Sequence, residues 1–145
     1  MLKQLIMAMP AQNTQLNRAV VAFLDGRRQR GFIYDFSAMK ESFRLSPEND
    51  PLQQRGAEIK VKDLKAVFFV KDFAGNPEYV ESGANGNSVR GRKMEISFSD
   101  GEKLHGCTDA YNPKKPGFFL FPVDGQSNNL RIFVVNQNIA QARFV

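Results

Sequence analysis

From Val20 to Tyr34 the chain reads VVAFLDGRRQRGFIY, with alternating apolar residues running into Asp25-Gly26 and resuming beyond it. A period of two predicts strands with one buried face. An Asp-Gly between them predicts a hairpin, because glycine takes the positive φ of a tight turn without penalty. The same layout returns 75 residues later in EISFSDGEKLHGCTD, Glu95 to Asp109, where Asp100-Gly101 answers to Asp25-Gly26 and Gly106 to Gly31. The echo continues downstream. Phe43 and Leu45 find counterparts in Phe119 and Phe121, and VKDLKAVFFV (Val61 to Val70) is matched by NQNIAQARFV (Asn136 to Val145), with Leu64, Phe69 and Val70 corresponding to Ile139, Phe144 and Val145. The chain therefore reads as two copies of one small β module.

Each copy contains the same predicted elements. Ala19, Val21 and Phe23 share one strand face, as do Met94, Ile96 and Phe98. A three-residue turn with a glycine bulge sets Ile96 opposite Leu104, an apolar cross-strand pair, and is preferred to a two-residue turn that would set it against His105. The second strand is expected to run on through Phe32 to Phe36. Ser42 to Leu45 and Phe118 to Phe121 form the third strands, each followed by a loop. Ile59 to Val61 with Leu64 to Val70, and Leu130 to Val135 with Ile139 to Val145, close the copies, with bends at Lys62-Asp63 and Asn136-Gln137. Leu2, Leu5, Ile6 and Met9 fall on one helical face before Pro10. The boundaries that follow are an N-terminal helix and connector over 1–18, a first repeat over 19–70, a linker or long hairpin over 71–92 and a second repeat over 93–145. Phe73 and Tyr79 are expected to pin the start of the linker.

Composition narrows this reading. At 145 residues each copy is marginal alone, so the two are expected to share an interface. Thirteen Phe and no Trp suit a β core. A single cysteine, Cys107, excludes an internal disulfide and a multi-cysteine metal site, and no stretch reaches the roughly 18 apolar residues of a membrane span. A cytoplasmic protein is the expectation. The net charge of +5 permits anionic partners without specifying one.

Five short strands, a turn before the third, a bend before the fifth and a preceding helix resemble the Sm-like small barrel. The resemblance is carried by Gly31 with Phe36-Ser37 and by Gly106 with Tyr111-Asn112-Pro113. It implies a mainly β fold of two tandem five-stranded Sm-like or SH3-like small barrels with a short N-terminal helix, and association through strand edges. The Arg-Gly that such proteins use for uridine-rich RNA is absent from both bends, so the RNA site is not carried over. The segment Asp35 to Lys40 resembles the D-x-S-x-x-G stretch with which PilZ domains hold cyclic di-GMP, although Lys40 stands in place of the glycine. A capped turn, with Asp35 or Ser37 bonding nearby amides, is the simpler reading. The chain is also similar to an uncharacterised bacterial family through LKAVFFVKDFAGNPEY (Leu64 to Tyr79) and GFFLFP (Gly117 to Pro122).

Candidate chemistry is sparse. His105 is the one histidine, and neither a catalytic pair with Cys107 nor a metal set is announced by spacing. No catalytic residue, metal or cofactor is assigned, and an enzyme is not expected. Basic residues cluster at Arg27, Arg28 and Arg30; at Lys60, Lys62 and Lys65; at Arg90, Arg92 and Lys93; and at Lys114 and Lys115. Arginine can fork onto phosphates and stack on bases. With Asp35, Ser37 and Lys40, the residues Arg27, Arg28, Arg30, Lys62, Arg90, Arg92, Lys93, Lys114 and Lys115 form the candidate anion-binding set, although solvated charge accounts for most such clusters. The leading expectation is a non-enzymatic interaction or regulatory module, self-associating or docking a protein. The alternative is an anion receptor for single-stranded RNA or a cyclic dinucleotide.

Overall fold

A computed structural model describes residues 18–49, 56–74, 91–124 and 126–145. The N-terminal helix expected before residue 18, Tyr79 and most of the linker lie outside them. The first half contributes β1 (Arg18–Phe23), β2 (Arg28–Phe32), β3 (Ser42–Pro47), β4 (Ala57–Lys60), a single 3-10 turn (Val61–Asp63) and β5 (Leu64–Val70). The second contributes β6 (Arg92–Phe98), β7 (Lys103–Thr108), β8 (Gly117–Leu120), β9 (Asn129–Val135), a second 3-10 turn (Asn136–Asn138) and β10 (Ile139–Phe144). The protein is mainly β.

Local chemistry repeats at a constant interval of 75 residues. Phe23 N donates to Arg27 O at 2.9 Å and Gly26 N to Phe23 O at 3.1 Å; Phe98 N donates to Glu102 O and Gly101 N to Phe98 O, both at 2.9 Å. Gly26 and Gly101 both have φ of 95°, the conformation that makes Asp-Gly the turn sequence. The turn is the bulged form, and Ile96 pairs with Leu104. Gly31 and Gly106 have a second role in common. A Cβ on Gly31 would lie 2.2 Å from Ser46 O and 2.9 Å from Leu45, and one on Gly106 would lie 2.6 Å from Phe121 O and 2.7 Å from Leu120. Each glycine thus lets the third strand cross close over the second.

Two expectations need correction. The counterparts of Phe43 and Leu45 are Phe118 and Leu120, one position earlier than sequence similarity suggested. Phe43 pairs with Ile59 as Phe118 pairs with Val134, whereas Phe119 is only half-buried. Second, β2 stops at Phe32 rather than continuing to Phe36. Phe36 instead turns onto the core, edge-on to Phe43, Phe69 and Phe133 with ring centroids 4.9 to 5.4 Å apart. Such edge-to-face contacts add about 0.5–1.5 kcal/mol each beyond area burial, and the three together exceed the about 0.5–1.5 kcal/mol that one further ladder bond would contribute.

The strands form a seven-stranded sheet in the order β4-β3-β2-β1-β5-β9-β8 and a three-stranded sheet in the order β10-β6-β7. Neither sheet closes on itself. A bridge between Cys107 and Phe121, with reciprocal N–H to O distances of 2.8 and 2.9 Å, joins β7 to the end of β8. The ten strands of the described residues therefore make one continuous run that begins at β4 and finishes at β10.

The halves meet where β5 pairs antiparallel with β9, Ala66 opposite Val134, Val67 opposite Phe133 and Phe68 opposite Ile132. β5 is buried along its whole length. Its alternate side chains enter different cores. Leu64, Val67 and Phe69 join Phe133 and Val135 of β9 in the first core, while Ala66, Phe68 and Val70 join Met94, Ile96, Phe118 and Leu120 in the second. Each core borrows side chains from the other half, so neither is complete alone.

Candidate functional site

The two outermost strands, β4 and β10, line a single groove of about 880 Å³. Glu58 and Lys60 of β4 border it, as do Ile139, Ala140, Gln141 and Ala142 of β10. Four turns complete the walls, and they too are built in pairs. Ser37 Oγ accepts from Met39 N at 3.2 Å, and Asn112 Oδ1 accepts from Lys114 N at 2.9 Å. Lys40 N donates to Ser37 O and Lys115 N to Asn112 O. Each turn is then tied to a 3-10 turn, through Val61 N to Glu41 O at 2.9 Å and Asn136 N to Pro116 O at 3.0 Å. The two 3-10 turns also touch across the halves, where Gln137 Nε2 and Asn138 Nδ2 both donate to Lys62 O.

This construction gathers Lys40, Lys62, Lys114 and Lys115 from the candidate set onto one groove and adds Lys60. Among the described residues none of these five ammonium groups is in an ion pair. Glu41 and Glu58 are the acidic members of the lining, so the groove is cationic on balance.

The other candidates go elsewhere. Arg27 Nε bonds Asp25 Oδ2 at 2.8 Å and its guanidinium lies 4.3 Å from the Phe23 ring centroid. The Arg27 backbone amide and side chain together hold the Asp25 carboxyl below its ordinary range. Arg28 reaches Glu102 at 3.4 Å, and Arg30 is exposed on β2 away from the groove lining. Asp35 Oδ1 accepts from Arg44 N of β3 at 3.1 Å, tying the segment after β2 to that strand, while Ser37 caps its own turn. Arg92 stacks on Phe144 at 4.0 Å, Lys93 O accepts from Val145 N, and Arg90 lies outside the described residues.

Sequence alone gave no warning of Lys65. It belongs to a basic run that reads as solvated, yet it is buried, with Nζ 2.7 Å from Asp100 Oδ2 and also bonded to Glu102 Oε1. Burial opposes its charge, but hydrogen bonds to Asp100 and then Glu102 outweigh that and its pKa is raised. The Lys65 hydrogen bond in turn holds Asp100 low. With Arg28, these residues form a charged clasp between β5 and the β6–β7 hairpin. His105 bonds Glu95 Oε2 at 2.9 Å, while Arg143 holds the other carboxylate oxygen. Cys107 is buried. No group of metal-binding side chains occurs among the described residues, and none of their helices is long and apolar enough to cross a membrane.

Residues 15–145 match the model of a family of unknown function, DUF6982. The chain belongs to this family. DUF6982 carries no assigned function. No curated protein and no solved structure matches the chain.

Proposed function

We propose that the protein is a non-enzymatic interaction module, two fused Sm-like small barrels that dock a protein partner through their free strand edges in the cytoplasm. The observation that carries this reading is that both ends of the ten-strand run line the same groove. An edge strand presents unpaired N–H and C=O groups, and adding a strand there satisfies them.

The residue types on those edges favour a separate partner over self-association. At the internal β5–β9 junction Ala66, Phe68, Phe133 and Val135 supply the apolar contacts. The positions 75 residues away on the free edges are Gln141, Arg143, Glu58 and Lys60. Charges on an edge are the usual guard against copies pairing with one another. Native mass spectrometry of protein purified from its own host tests the proposal. A retained protein partner, lost when Ala142→Pro removes an outward N–H from the β10 edge, is the expected result. A bare monomer that stays bare in crude extract, with wild type and variant alike, would sink it.

A second reading, an anion receptor for single-stranded RNA, draws support from the five groove lysines, which are in no ion pair among the described residues. It predicts affinity that falls steeply with salt through counterion release. A cyclic dinucleotide finds less support, because Asp35 is bonded to the Arg44 amide, Ser37 caps its turn, and Arg27 and Arg28 are engaged with carboxylates.

A further inference from the structure

Resting on the edge-docking reading, we infer that the groove between β4 and β10 is a slot for one extended acidic segment of a partner protein, inserted as an additional strand. Three observations converge. Among the described residues β4 and β10 each pair on one side only, with β3 and β6 respectively, and are the strands at which the run ends. Both line one groove of about 880 Å³, within the range of about 300–1,000 Å³ that specific ligand sites occupy. Lys40, Lys60, Lys62, Lys114 and Lys115 surround it without ion-pair partners among the described residues.

The internal junction shows what the slot lacks. Where β5 meets β9, apolar side chains close the seam directly. Among the described residues β4 and β10 form no ladder with each other, and the positions that answer to Ala66, Phe68, Phe133 and Val135 are Gln141, Arg143, Glu58 and Lys60, interleaved with Ile59, Ala142 and Phe144. A strand laid against either edge would sit about 4.8 Å from it and take main-chain hydrogen bonds. Its alternate side chains would point to the lysines of the turns, which select carboxylates, while Ile139, Ala140 and Ala142 offer a shallow apolar floor. Backbone pairing supplies the binding mode and lysine supplies the choice of sequence.

The test uses the full chain and fluorescence anisotropy with a short labelled peptide alternating Glu with Val. Competitors are the same peptide N-methylated at alternate backbone nitrogens, a neutral peptide with Gln in place of Glu, and a short oligouridine. The expected result is binding to the acidic peptide, weakened at least about tenfold by N-methylation, by the Gln exchange and by Lys62→Glu with Lys115→Glu. Equal binding of the Gln peptide with the same N-methyl sensitivity would overturn the acidic preference while leaving edge docking intact. Tighter binding of oligouridine, with no effect of N-methylation, would overturn the strand slot. If none of these probes binds and the chain instead dimerises with rising concentration, a second copy is the occupant and the inference fails. Circular dichroism of the double variant establishes that it is folded, and the N-methylated peptide gives the same answer without altering the protein.

Discussion

Val67 on β5 lies directly opposite Phe133 on β9, and both side chains are buried in the first core although they come from different halves of the chain. The consequence is mechanical. Removing either half would leave the other with an open seam, so the two should unfold together.

Phe133→Ala should therefore cost about 3–5 kcal/mol, the usual loss for a fully buried aromatic, and should do so in a single urea transition seen equally by probes in either half. Two separated transitions would show that the halves are independent.

Gly31→Ala and Gly106→Ala should destabilise by similar amounts, about 1–3 kcal/mol each, because an added Cβ meets Ser46 O in one half and Phe121 O in the other. Thermal denaturation of the two variants side by side checks this. A large loss in one with none in the other would contradict the equivalence of the halves.

The clasp around Lys65 predicts a pH dependence. Its folded pKa is raised above the ordinary 10.5, so its contribution is complete below that value and is lost as pH rises beyond it. Asp100 is held below its ordinary 3.8, so its contribution is present above that value and disappears as pH falls through the lowered one. Relative to wild type, Lys65→Met should lose less stability between neutral pH and pH above 10.5. Parallel denaturant titrations at several pH values measure it, and identical alkaline slopes would refute the assignment.

Strand positions, the bulged hairpins and the 75-residue repeat were legible because they rest on local chemistry: alternation, Asp-Gly turns and glycines with a fixed steric task. What was not legible depends on which strands become neighbours. Lys65 is buried and pairs with Asp100 and Glu102 of the β6–β7 hairpin, more than thirty residues away, and nothing in the local run Lys60 to Lys65 separates a buried lysine from its exposed neighbours. The one-position error at Phe119 has a similar origin. GFFLF offers several apolar registers, and only the crossing over Gly106 selects Phe118 and Leu120. The groove lysines fall in separate stretches of the sequence, and their common location follows from the two 3-10 turns meeting at Lys62 O.

Hydrogen–deuterium exchange of the free protein tests the central claim most directly, because it reads which strands are paired on both sides. The account predicts slowest exchange in 64–70 and 129–135, faster exchange in 57–60 and 139–144, and slowing of these last two segments together when the acidic peptide is added. Equal protection of 139–144 and 64–70 in the free chain would contradict it.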